Sequence, residues 1–129
     1  MAKFFASFHF HLVLLSLCSV CILDSAGEGN NQGELKYCVA KPSTSDEALL
    51  ENIDYVCREQ GIKGCETFQK DSNPCYSPNT PVNHASQAMN LYYQAKGRHD
   101  FNCDFKDTGL ITITPPSYGG CYYAYNQTA

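Results

Sequence analysis

The sequence predicts a small α+β domain stapled by disulfides, with two helices, a minimal antiparallel sheet and long coil segments. Three observations predict this class: six cysteines in the last three-quarters of the chain, two stretches with helical periodicity, and short runs rich in Phe, Ile, Thr and Tyr. The chain has 129 residues, which suits one domain, and a formal net charge of −4. This acidic balance argues against a nucleic-acid partner, which would require a basic face.

The N-terminal segment has the composition of a secretory signal peptide. Lys3 supplies the positive start, Phe4–Leu23 is apolar apart from His and Ser, and small residues follow. A retained transmembrane anchor is the alternative, but two histidines leave a strongly apolar part too short for a bilayer core of about 30 Å. We expect a signal peptide at 1–26, a disordered leader at 27–35, a folded module at 36–125 and a tail at 126–129.

The cysteines beyond the signal peptide predict three disulfides. They are Cys38, Cys57, Cys65, Cys75, Cys103 and Cys121. The secretory pathway is oxidising and a domain this small buries little core, so each bridge would contribute about 2–4 kcal/mol. A zinc site is the alternative, but these six form no CxxC pair and only His84 and His99 accompany them. Spacing alone leaves about fifteen connectivities open.

The first predicted helix runs from Ser45 to Gln60. A short extended piece, Leu35–Val39, precedes it, and Thr44 to Glu47 has the spacing of a capping box. Apolar residues recur on one face of the helix while Glu and Arg occupy the other. Tyr55 falls on the polar face, where we expect a neighbouring coil to cover it.

The second predicted helix is the centre of the molecule. Thr80 is placed as its N-cap and Pro81 as its first residue, and Gly97 ends it. Its apolar face carries five residues, Val82, Ala85, Met89, Tyr92 and Tyr93. On a helical wheel Tyr92 lies near the centre of that face and Tyr93 at its edge, which predicts that Tyr93 is the more accessible of the two.

The remaining segments predict loops and short strands. Residues 62–73 have no sustained period and are expected to be loop. The β-like runs are 101–105, 110–114 and 121–125. The loop 115–120 contains two prolines and two glycines around Tyr118.

Several motifs give the chain a resemblance to a known family. The stretches CVAKPSTSDEALLENIDYVC, NPCYSPNT, HASQAMNLYYQ, CDF and PPSYGGC occur in order and contain five of the six cysteines, and Cys65 lies between the first two stretches. They resemble the plant carbohydrate-binding module of family 43, which occurs at the C-terminus of some plant β-1,3-glucanases, in callose-binding proteins and alone in small secreted proteins. The resemblance implies the bridges Cys38–Cys103, Cys57–Cys65 and Cys75–Cys121.

Three positions depart from the family pattern. Tyr37 stands where the family usually has Trp, and Gln87 stands where an aromatic residue is common. The motif that begins at Cys103 is altered beyond Phe105. If the missing aromatic is a sugar contact, either the affinity for glucan should be lower than in the family or the ligand preference should differ.

The resemblance implies binding of β-1,3-glucan, and the residue types agree with it. Aromatic rings suit the C–H faces of glucose, while Asn and Tyr hydroxyls suit its polar rim. We expect Tyr118 to be an exposed stacking platform, which the Cys75–Cys121 bridge would bring near Tyr76, with Tyr93 as a third ring. The expected hydroxyl partners are Asn79 and Asn90.

Two other classes of function were weighed against glucan binding. A glycosidase needs two opposed carboxylates about 5–10 Å apart, and the acidic residues on the first helix fit capping and a solvated surface instead. A secreted protein-interaction or inhibitor module remains the alternative, with Lys63–Asn73 as its exposed loop. We expect a non-catalytic, extracellular monomer of the apoplast or cell wall, without cofactor, metal or membrane anchor, and with a glycosylation sequon at Asn126.

Overall fold

The computed structural model of the chain describes residues 33–125. The predicted signal peptide, the leader up to residue 32 and the Asn126 sequon lie outside these residues. In chain order the elements are β1 (Tyr37–Ala40), α1 (Asp46–Arg58), α2 (Glu66–Gln69), α3 (Pro81–Ala95), a 3₁₀ helix (Asp100–Cys103) and β2 (Gly109–Thr112). The predicted α+β class is confirmed. Within the described range no helix is long and apolar enough to cross a membrane.

The ends of the two long helices follow from local chemistry. Thr80 caps α3, its side chain accepting a hydrogen bond from the Asn83 amide, and Pro81 is the first helical residue, both as predicted. Gly97 has a φ of +100° just beyond the helix, the left-handed conformation that favours glycine. At α1 the cap is Ser45, which accepts from the Ala48 amide, so the predicted capping box on Thr44 is wrong by one residue.

β1 and β2 form a two-stranded antiparallel sheet in which Tyr37 pairs with Thr112 and Ala40 with Gly109. The free edge of β1 is bonded by side chains of α3 rather than by a third strand. Ser86 accepts from the Ala40 amide at 3.0 Å and Asn90 accepts from the Cys38 amide at 3.2 Å. These side chains satisfy edge groups that would otherwise be buried and unpaired.

One further residue of α3 completes this stripe. Gln94, four residues after Asn90, donates to the Lys36 carbonyl at 2.9 Å and to the Asn90 Oδ1 at 3.1 Å. Ser86, Asn90 and Gln94 therefore stand at i, i+4 and i+8 on one side of the helix. All three are buried. These three residues form a polar stripe on α3, and their side chains bond the backbone at the edge of β1 as a third strand would.

The three disulfides have the pairing that the resemblance implied. Cys38 is bonded to Cys103, Cys57 to Cys65, and Cys75 to Cys121. The first ties β1 to the 3₁₀ helix, and the third ties the turn before α3 to the C-terminal loop. Apolar residues pack in two clusters on either side of α3. One is centred on Leu49, Met89 and Tyr93, the other on Val56, Phe68 and Leu91.

Three predictions about short elements are wrong. The segment 62–73 contains the short helix α2, whose Phe68 is buried. Residues 101–105 form a 3₁₀ helix and a turn rather than a strand. Residues 121–125 are coil, with a single β-bridge between Tyr118 and Cys121. Each of these segments is fixed by a cysteine, and the disulfide decides its path where the β propensity of Phe and Tyr does not.

Candidate functional site

A cleft of about 270 Å³ lies where α1, α3 and the segment from the 3₁₀ helix to β2 meet. It is lined by Glu51, Asn52, Tyr55, Tyr92, Phe101, Asn102, Phe105 and Lys106. Half of these side chains are aromatic, and the others carry amide, carboxylate or ammonium groups. Such a composition, apolar faces edged by a few polar groups, is typical of small-ligand sites.

The aromatic rings of the cleft are packed at steep angles to one another. The ring centroids of Tyr55 and Tyr92 are 5.7 Å apart with 53° between their planes. Tyr92 meets Phe105 at 5.4 Å and 70°. Tyr55 remains 53% exposed and Phe101 75% exposed, so both offer ring surface to a ligand. The rings form a curved wall rather than a flat platform.

Hydroxyl and amide groups supply the polar edge of the cleft. The hydroxyls of Tyr55 and Tyr92 are 3.5 Å apart. This hydrogen bond is the first cause that raises the pKa of Tyr92 to about 12, with burial second. The Tyr92 phenol therefore stays protonated over the physiological range. The Oδ1 of Asn102 is buried and has no hydrogen-bond partner among residues 33–125.

A left-handed turn forms one wall of the cleft. Phe105, Lys106 and Asp107 have φ values of +43°, +53° and +64°, and none of them is glycine. Such a conformation costs each residue about 1–2 kcal/mol. Strain of this kind persists only where surrounding contacts hold it.

Contacts from two elements hold that turn in place. The Lys41 ammonium lies 2.7 Å from the Asp107 carboxylate and donates to the Asp107 carbonyl at 2.9 Å. On the other side, Asn52 of α1 donates to the Thr108 hydroxyl at 2.9 Å. Gly109 follows, and a Cβ there would come within 1.7 Å of the Cys103 carbonyl oxygen, so that only glycine fits.

Tyr118 is half-buried rather than a free platform. Its hydroxyl lies 2.6 Å from the Ser77 carbonyl oxygen in the segment before α3 and 3.1 Å from the Asn83 Oδ1 in the first turn of α3. Its ring packs against the cluster that contains the Cys75–Cys121 bridge. The bridge does bring this loop to the start of the helix, as predicted. Tyr118 acts there as a tether between the two segments.

The other predicted ligand residues lie in two environments. Tyr76 is half-buried and its ring lies 5.6 Å from the His84 ring, while Asn79 is exposed in the turn before α3. Tyr93 and Asn90 are buried in the interior, and the prediction that Tyr93 is more accessible than Tyr92 is wrong, because Tyr92 is only half-buried. The reason is that α3 is covered on several sides by other elements, whereas the helical wheel assumed one buried face.

Two of the three family departures lie in the interior, whereas the third, beyond Phe105, lies in the left-handed turn. Tyr37 is buried and its ring packs at 5.8 Å from the Tyr125 ring. Gln87 is buried and donates to the Cys75 carbonyl at 2.8 Å, bracing the third disulfide. An aromatic residue at the position of Gln87 would be in the core of this chain, away from the cleft. Neither departure therefore removes a ring from the cleft.

Sequence reasoning missed the cleft because its residues come from distant segments. One signal was available: Tyr55 falls on the polar face of α1, and because its side chain is 53% exposed, the expectation that a coil covers it is wrong. The strand predicted at 101–105 does not reveal that Phe101 lies on the 3₁₀ helix with its side chain exposed. Among residues 33–125 no group of three or more His, Cys, Asp or Glu side chains is arranged to hold a metal ion.

Fold and cleft together define a small disulfide-stapled module with an aromatic surface site. Residues 36–110 match the X8 domain. The chain belongs to this family, and the resemblance stated from the motifs is confirmed.

Similar proteins fall into two groups by length. The chain is 49% identical over 92 residues to "Major pollen allergen Ole e 10" of Olea europaea, covering 71% of this chain and 73% of that protein. It is 48% identical over 88 residues to "Glucan endo-1,3-beta-glucosidase" of Triticum aestivum, covering 68% of this chain and 18% of the enzyme. A "Glucan endo-1,3-beta-D-glucosidase" of Olea europaea is 48% identical over 87 residues, also with 18% of the enzyme covered.

Proposed function

We propose that this protein is a non-catalytic module that binds β-1,3-glucan in the cleft between α1, α3 and the left-handed turn. The observation that carries the proposal is the aromatic lining of the cleft with its polar edge. Sugar rings pack their C–H faces on aromatic side chains, and Tyr and Asn groups hydrogen-bond the hydroxyls. The family and the glucanase names among its relatives support the same ligand class.

The angles between the rings favour a β-1,3 chain over a β-1,4 chain. A β-1,4-glucan is a flat ribbon, which coplanar rings match best. A β-1,3-glucan turns steadily along its length. Rings inclined by 53° and 70° line a curved wall, which suits the turning chain.

The cleft does not offer the groups that hydrolysis requires. Among the described residues that line it, Glu51 is the one carboxylate, whereas a glycosidase places two about the scissile bond. Glu51 is better suited to accept hydrogen bonds from sugar hydroxyls. The proposal includes an extracellular location at the plant cell wall, which the three disulfides support.

Affinity electrophoresis tests the proposal. The oxidised protein should be retarded in gels that contain laminarin, a β-1,3-glucan, and should run normally in gels that contain hydroxyethylcellulose. Tyr55→Ala should weaken laminarin binding by about tenfold, the effect of losing one ring contact. Tyr122→Ala removes an 80% exposed tyrosine outside the cleft and is the matched control.

Each other outcome has a defined meaning. Equal mobility in all gels would reject glucan binding and favour the protein-interaction alternative. Retardation that Tyr55→Ala leaves unchanged, with Tyr122→Ala also normal, would show that the glucan lies elsewhere. Release of reducing sugar from laminarin by the pure protein would reject the non-catalytic assignment.

A further inference from the structure

Phe101 is a large apolar side chain that the fold leaves in solvent. It is 75% exposed although it sits on the rim of the proposed glucan cleft. The rings of Phe101 and His99 are nearly parallel, with 5° between their planes and 5.2 Å between centroids. This offset stack supports one part of the Phe101 ring and leaves the rest open.

The backbone around this pair is fixed from both sides. Gly97 and Arg98 have φ values of +100° and +60°, which turn the chain sharply after α3. The backbone N–H of Asn102 donates a hydrogen bond to the His99 carbonyl oxygen at 2.8 Å. Cys103 forms a disulfide with Cys38 of β1. The exposed ring is therefore presented by a rigid turn, so a ligand need not order it on binding.

The small volume of the cleft suggests how the Phe101 ring could contact a ligand. At about 270 Å³ the cleft is slightly below the roughly 300 Å³ at which small-ligand pockets begin, so it covers only a short piece of a polysaccharide. A longer chain that leaves the cleft on the side of the 3₁₀ helix meets Phe101. Tyr122, which is 80% exposed, does not line the cleft.

We propose that Phe101, supported by His99, forms a second sugar-binding subsite at the rim of the cleft, beyond the inner rings of Tyr55 and Tyr92, so that affinity rises with the length of the β-1,3-glucan chain. The proposal rests on the proposed glucan-binding function and deepens it. The inner subsite at Tyr55 binds the first glucose units, and the outer subsite binds units that follow. The preferred ligand is therefore a chain longer than the inner cleft can hold.

Titration calorimetry with linear β-1,3-gluco-oligosaccharides from laminaribiose to laminarihexaose tests this subsite. The wild-type affinity should rise along the series. Phe101→Ala should lower the affinity for laminarihexaose by about fivefold or more and should lower the affinity for laminaribiose by a clearly smaller factor. Phe101→Trp should restore the dependence on length, and His99→Ala should weaken it partly. Tyr55→Ala should weaken every member of the series, and Tyr122→Ala none.

The results separate the two proposals. Equal losses for short and long oligosaccharides in Phe101→Ala would place Phe101 in the inner site and overturn the second subsite, as would no loss at all. Glucan binding itself would stand in both cases. If the wild type binds no oligosaccharide and no laminarin, the proposed function fails and the subsite fails with it. A thermal midpoint equal to that of the wild type confirms that Phe101→Ala is folded.

Discussion

Tyr118 joins the C-terminal loop to the turn that precedes α3. Its hydroxyl has one proton and two acceptors within reach, of which the Ser77 carbonyl oxygen at 2.6 Å is the nearer. Its ring fills part of the cluster around the Cys75–Cys121 bridge. A residue held in this way contributes to stability first, whatever it does for binding.

Substitution at this residue separates the two roles. Tyr118→Phe keeps the ring and should lower the free energy of unfolding by about 1 kcal/mol, the net value of one hydrogen bond. Tyr118→Ala also loses ring packing and should cost about 2–4 kcal/mol. Denaturant unfolding gives both values, and laminarin affinity measured on the folded fraction should stay near that of the wild type. A loss of affinity in Tyr118→Ala at unchanged stability would restore the stacking platform that the sequence suggested.

The left-handed turn at 105–107 is the element on which the shape of the cleft depends. It places Phe105 against Tyr92 and brings Lys106 to the cleft wall. Its strain is balanced by the Lys41–Asp107 ion pair and by the bond from Asn52 to Thr108. Lys41 does not line the cleft, so it is a positioning residue for the wall.

Removing the Lys41 contact should affect binding more than stability. Exposed ion pairs contribute at most about 1 kcal/mol, so Lys41→Met should leave the unfolding midpoint nearly unchanged. The loosened turn should lower laminarin affinity by about two- to fivefold and speed amide hydrogen exchange at 106–109. Added salt should weaken wild-type binding of this neutral ligand and leave Lys41→Met unaffected.

Arg58→Met is the control for this prediction, because it breaks the exposed Arg58–Asp54 pair on α1. Its laminarin affinity should match that of the wild type. Unchanged exchange rates in Lys41→Met would show that the turn holds without the pair. The hydrogen bond from Lys41 and its charge keep the pKa of Asp107 below its ordinary value. Asp107 therefore stays ionised, and the contact persists, as the pH falls to the ordinary aspartate pKa of about 3.9. The contact is lost only at lower pH.

At the scale of the whole molecule, the chain has nine tyrosines and no Trp, and Tyr37 and Tyr93 are the tyrosines buried in the described core. Burial is the first cause that raises the pKa of Tyr123 and of Tyr93. The hydrogen bond with Tyr55 does the same for Tyr92. All three phenols bind their proton more tightly in the folded state than in the unfolded chain.

Stability should therefore be lost in alkali. Each phenol with a raised pKa contributes fully to the free energy of unfolding while the pH is below the unfolded-state pKa of about 10. This contribution is lost as the pH rises through the folded-state pKa. The thermal midpoint should be flat from about pH 7 to 9 and fall above about pH 10. Tyr123→Phe should reduce the slope, and Tyr122→Phe serves as the exposed control. A midpoint that stays constant up to about pH 12 would contradict the burial of these phenols.

Interactions between residues close in sequence allowed the helices and their ends to be predicted. The ends of α3 follow from a Thr cap, a Pro at the first position and a left-handed Gly, interactions that involve only neighbouring residues. The periodic spacing of apolar residues predicted both long helices. The order of motifs around the six cysteines gave the family and the disulfide pairing, which spacing alone left open.

Tertiary structure decided which side chains are available for binding. Tyr93 and Asn90 have residue types suited to a sugar contact, yet elements on several sides of α3 bury both. The polar stripe that includes Asn90 serves the edge of β1, a partner about 50 residues away in sequence. The cleft joins Tyr55, Tyr92 and Phe101, which share no local pattern because the packing of α1 on α3 and the Cys38–Cys103 bridge bring them together. The sequence determined the elements and the framework, whereas long-range contacts determined the binding surface.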